Sequence, residues 1–70
     1  MDLRHVFATN LRRLRAERRI SQEALAHEAG VNRSHLSDIE RGVTWVGLEI
    51  IERLAKVLGV EPAELLKRRR

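Results

Sequence analysis

The sequence predicts an all-α fold of five short helices around one small core. Apolar residues recur at three- and four-residue intervals in separate stretches, the spacing of a single helix face. Residues that start and stop helices punctuate those stretches: Ser21 and Asn32 precede two of them, Gly30 and Gly59 follow two, and Pro62 heads the last. With 70 residues and no cysteine, residues 1–70 read as one domain held by helix packing, without disulfides or a thiolate zinc site.

The first helix is expected over about Leu3 to Arg18, with Phe7, Leu11 and Leu14 as its apolar stripe. Arg12, Arg13, Arg18 and Arg19 mostly lie off that stripe and form a basic exterior. Ser21 caps a second helix, Gln22 to Ala29, whose apolar positions are Leu25, Ala26 and Ala29. Gly30 ends it, since the residue after a helix often takes a positive φ, and Val31 turns back into the core. Asn32 caps a third helix, Arg33 to Arg41, on which Leu36 and Ile39 make a narrow buried stripe while Ser34, Ser37, Asp38 and Arg41 face away.

Gly42 to Gly47 is an unusually apolar loop. Its Trp45, the one tryptophan of a chain without tyrosine, is expected to pack over the core edge between the third and fourth helices; contact with sugar-phosphate or a second subunit is the alternative. The fourth helix, Leu48 to Leu58, turns Leu48, Ile51, Leu54, Ala55 and Leu58 inward. Ile50 and Val57 lie on a neighbouring strip that the core does not require, which marks a dimer surface, unless they are only scattered surface hydrophobes. Pro62 opens a fifth helix, about Pro62 to Lys67, with Leu65 facing the core and Leu66 a partner. The basic tail, 67–70, is expected to fray.

A chain this short has no interior for a large substrate cleft, which disfavours an enzyme. His5, His27 and His35 lack metal-ligand spacing, and Ser21, Ser34 and Ser37 lack a nucleophile-elbow pattern, so neither a metal, a cofactor nor a small-molecule ligand is expected. No apolar run approaches the ~20 residues of a membrane helix, and MDLRHVF lacks a signal-peptide core, which predicts a cytoplasmic protein with no membrane partner. The net charge of +4 divides as +2 over residues 1–42, −2 over 43–66 and +4 over 67–70. Clustered Lys and Arg favour a nucleic-acid partner over a merely solvated surface.

A second helix, a three- to four-residue turn and a third helix with almost no apolar surface form a helix-turn-helix, about residues 21–41 here, which presents side chains to the major groove of double-stranded DNA. Readout falls to the start and outer face of the third helix: Arg33, Ser34, Ser37 and Asp38. Arg33 can donate two hydrogen bonds to one guanine, or it can hold a phosphate. Asp38 can accept from cytosine or orient Arg33 or Arg41. Ser21, Gln22, Asn32, His35, Arg41 and Thr44 are the phosphate candidates, although Ser21 and Asn32 equally serve as caps. His35 touches phosphate or base, or merely sits beside the groove.

The run ISQEALAHEAGVNRSHLSDIERG, continued by LEIIERLAKVLGVEPAELL, resembles the XRE-type helix-turn-helix domain of phage Cro and repressor proteins and many small bacterial regulators. RSHLSDIERG is also similar to the controller proteins of restriction-modification systems. The resemblance implies the compact five-helix lambda-repressor-like fold, a homodimeric transcriptional regulator, a phosphate contact by Gln22, base contacts from Arg33, Ser34, Ser37 and Asp38, and a partly buried ion pair between Arg15 and Glu40. An antitoxin with the same domain, or a protein-interaction module that uses it only as a scaffold, is the rival reading.

Overall fold

The computed structural model describes residues 2–69, so Met1 and the Arg70 end of the expected tail lie outside the described residues. Five helices follow in order: α1 (Leu3–Glu17), α2 (Gln22–Ala29), α3 (Arg33–Glu40), α4 (Leu48–Leu58) and α5 (Pro62–Leu66). Helix α1 packs against α3 and α5, α2 against α3 and α4, and α4 against α5. Phe7, Leu11, Leu25, Leu36, Leu54 and Leu65 meet in the shared centre, each almost completely buried.

Local chemistry sets the ends of these helices. Ser21 Oγ accepts from the Ala24 amide at 3.0 Å, and Asn32 Oδ1 from the amides of Ser34 at 2.8 Å and His35 at 3.4 Å. Helices α2 and α4 stop at Gly30 and Gly59 in the left-handed region, with Val31 N donating to Ala26 O and Val60 N to Ala55 O. At the start of α1, Asp2 accepts from the Arg4 amide at 2.7 Å and from its guanidinium at 2.8 Å. The hydrogen bond from the Arg4 side chain, reinforced by the one from its backbone, holds the Asp2 carboxyl down at about 2, so it stays ionised at any ordinary pH.

Arg12 and Arg15 of α1, and Arg18 just after it, are tethered across the fold. Arg12 donates to the carbonyl of Glu40, the last residue of α3, and Arg18 to the carbonyl of Leu58, the last of α4. Arg15 reaches the Ile20 carbonyl at 3.1 Å. A helix leaves its final carbonyls without intrahelical donors and carries partial negative charge there, so a guanidinium is a fitting partner. Two of the four arginines expected on the basic exterior, Arg12 and Arg18, are therefore internal donors to α3 and α4, while Arg13 pairs locally with Glu17.

Two expectations for the α3–α4 region are corrected. Leu48 is 82% exposed, because it is the first residue of α4 and the core on that face ends one turn later at Ile51. Trp45 is 65% exposed and fills no gap between α3 and α4; its ring lies under the Arg4 guanidinium, 4.7 Å from ring centre to carbon. Together with Leu3, Val46 and Leu66, these two side chains rim an apolar groove floored by Phe7 and Ile51.

Gly42 fixes the exit from α3. Its φ is +72°, and a Cβ there would stand 2.9 Å from His5 Nδ1. Gly42→Ala should lower stability by about 1–2 kcal/mol, mainly from left-handed backbone strain. Urea unfolding followed by circular dichroism checks this; adding His5→Ala should recover only the steric part, and an unchanged midpoint in the single variant would sink the account.

Candidate functional site

The exposed end of α3 and the first turn of α2 converge. Gln22, Arg33, Ser34 and Ser37 line one shallow polar notch. Gln22 is the first residue of α2 and the other three come from the first five positions of α3, so two helix starts border the same space. Arg33 and Ser34 are exposed, while Ser37, His35 and Asp38 are half-buried.

Glu40 lies behind this notch with only 4% of its surface exposed. Arg15 Nε donates to its Oε2 at 2.7 Å and Arg15 Nη2 to its Oε1 at 3.0 Å, a two-pronged ion pair from α1 to α3. Gln22 Nε2 adds a third donor to Oε1 at 3.1 Å. One buried carboxylate thus joins α1, α2 and α3, and the pairing leaves no net charge behind the notch.

The remaining sequence candidates are distributed as follows. Asp38 and Arg41 form an ion pair at the end of α3, and no hydrogen bond joins Asp38 to Arg33 among the described residues. The Ser21 and Asn32 side-chain oxygens are occupied as caps, which leaves the serine hydroxyl proton and the asparagine NH2 as donors. Thr44, in the loop after α3, donates to the Trp45 carbonyl at 3.5 Å. Ile50 and Val57 are partly buried and packed on the core, away from the groove; Leu66 alone of the expected dimer residues lines it.

Sequence reasoning did not find Leu3, Trp45 and Leu48 as one surface, nor Gln22 as a partner of Glu40. The only available signal was Leu48 at the first position of a helix, where core contacts are fewest. Among the described residues, no helix is long and apolar enough to cross a membrane, and no cluster of His, Asp and Glu could hold a metal ion.

The helix-turn-helix family HTH_3 matches residues 11–65. The chain is 42% identical over 66 residues to the control protein C.BamHI of Bacillus amyloliquefaciens, covering 93% of this chain and 82% of that one. Among solved structures, the restriction-modification controller protein C.AhdI from Aeromonas hydrophila superposes with a TM-score of 0.85 at 42% identity, covering 89% of this chain and 94% of that chain. A hypothetical transcription factor from Neisseria gives a TM-score of 0.90 at 41% identity, over 94% of this chain and 76% of that one.

Proposed function

Because the chain belongs to the HTH_3 family of helix-turn-helix proteins, whose members are DNA-binding transcriptional regulators, we propose that it binds operator half-sites as a homodimer through α3. The observation that carries this reading is the polar notch that gathers Gln22, Arg33, Ser34 and Ser37 at two helix starts. Arg33 reads a guanine through O6 and N7, with Ser34, Ser37 and Asp38 beside it on the bases. Gln22, the free donors of Ser21 and Asn32, and His35, Arg41 and Thr44 hold the sugar-phosphate backbone. Two copies related by a two-fold axis would address half-sites about 34–36 Å apart, one turn of DNA. Similarity to C.BamHI and C.AhdI favours a role as a restriction-modification controller, acting in the cytoplasm by occupancy rather than by catalysis.

Selection from a randomised duplex pool, followed by titration at two salt concentrations, tests the reading. A two-fold motif with steep salt dependence is expected. Arg33→Ala should cost about 1–3 kcal/mol and relax preference at one base pair per half-site. A uniform loss across all sequences would reassign Arg33 to a phosphate. No enriched motif at any salt would overturn the operator reading, and a co-purifying toxin would favour the antitoxin instead.

A further inference from the structure

We propose that Glu40 is a positioning residue for DNA: it orients the Gln22 amide so that one Nε2 hydrogen is held by the protein and the other is presented to a backbone phosphate. This rests on the operator reading above, and goes beyond it by assigning a buried, non-contacting residue to the interface.

The amide's orientation follows from chemistry. An ionised carboxylate only accepts hydrogen bonds, so the group that lies 3.1 Å from Glu40 Oε1 must be the NH2 of Gln22. The reversed amide would set two oxygens against each other. An NH2 has two hydrogens, and Glu40 takes one. The second remains, on a half-buried side chain at the edge of the notch it shares with Arg33, Ser34 and Ser37. A phosphate seated there would meet a donor whose rotamer is already chosen, which reduces the ordering required on binding.

Glu40 can do this without repelling DNA because Arg15 neutralises it with two hydrogen bonds. Its own position is fixed from both sides, since Arg12 holds its backbone carbonyl. The ion pair is thus more than a brace between α1 and α3. It carries the acceptor that aims α2's first side chain.

The test scans single neutral methylphosphonates through the selected operator. In the wild type, several phosphates per half-site should lose affinity, and the one held by Gln22 should lose about ten-fold, the scale of a hydrogen bond to a charged group. Gln22→Ala should bind more weakly and show little further loss at that position. The double variant Arg15→Met, Glu40→Met replaces the pair by apolar side chains of similar length; with Gln22 intact but unheld, its loss at that phosphate should fall to about two- to three-fold. A folded double variant that keeps the full ten-fold penalty would overturn the assignment.

A second measurement needs no variant. In the wild-type protein the two Gln22 side-chain amide protons are distinct in NMR spectra, and operator DNA should shift the one not bonded to Glu40 while leaving the other in place. Movement of both together, or of neither, sinks the proposal. Absence of specific binding by the wild type would instead remove the operator reading itself, so the two failures are distinguishable.

Discussion

Arg15→Met should destabilise the protein by about 3–5 kcal/mol, because it strands a carboxylate that is 4% exposed. Two charge-assisted hydrogen bonds to Glu40 vanish together, and the Ile20 carbonyl loses its donor as well. Total stability for a small domain is of order 5–15 kcal/mol, so this loss is a large fraction of it. Removing both partners is a different matter. With Glu40 also replaced by methionine no buried charge is left, the methionines can pack against the core edge, and the double variant should lie within about 1–2 kcal/mol of the wild type. Urea denaturation of the four proteins in this cycle gives the coupling directly. If the single variant lost under about 1 kcal/mol, the pair would behave as an exposed surface bridge, and its burial would have to be abandoned as the reason for its strength.

The parts of this fold that were legible in the sequence are those fixed within a few residues. Ser21, Asn32, Gly30 and Gly59 act on amides and carbonyls within about one turn of themselves, so the helix ends could be read almost to the residue. What escaped was set by distant chain. Arg12 and Arg18 look like solvated charges on a helix exterior, yet their acceptors lie 28 and 40 residues away. Periodicity placed Leu48 on the same face as Ile51 without revealing that the core stops between them. Trp45 invited burial by its size, and only the approach of Arg4 across the α3–α4 loop shows how its ring is partnered.

The candidate site divides in the same way. Helical spacing alone puts Arg33, Ser34 and Ser37 on one outward face, because all three belong to one short helix. Their meeting with Gln22 depends on the α2–α3 crossing, and the Gln22–Glu40 bond spans 18 residues. The Arg15–Glu40 pair was expected from the family resemblance, but the bond of Glu40 to Gln22 was not, because it depends on how α2 crosses α3. Similarly, the use of Arg12 and Arg18 as internal donors could not be inferred from net charge. It matters for binding, since a guanidinium already bonded to a carbonyl or carboxylate must break that bond before it can serve a phosphate. The salt dependence should therefore be shallower than a count of all 14 Lys and Arg would imply, with Arg33 among the cations that set it.

Leu48→Glu should have the largest effect on DNA binding of any substitution outside the notch. Leu48 at 82%, Trp45 at 65% and Leu3 at 40% exposure stand together with Leu66 around one groove, which is a large share of apolar surface for so small a chain. A second copy is the occupant that the operator reading requires, because two α3 helices must be held one DNA turn apart. If two copies met on this groove, Leu48 and Trp45 would supply the apolar centre and the Arg4–Asp2 pair a polar rim. A carboxylate at position 48 would have to be desolvated if a second copy covered this groove. The variant should sediment as a monomer while its circular dichroism stays unchanged, since so exposed a side chain contributes little to the monomer's core. Its affinity for a two-half-site operator should fall by about 10²–10⁴, the range gained by linking two binding events, whereas affinity for an isolated half-site should hardly move. Ile50→Glu provides the contrast: Ile50 packs on the core, so its loss should appear as reduced thermal stability rather than as a folded monomer. A Leu48→Glu protein that remained dimeric, with wild-type operator affinity, would clear this groove of any role in assembly and return attention to the Ile50 and Val57 strip.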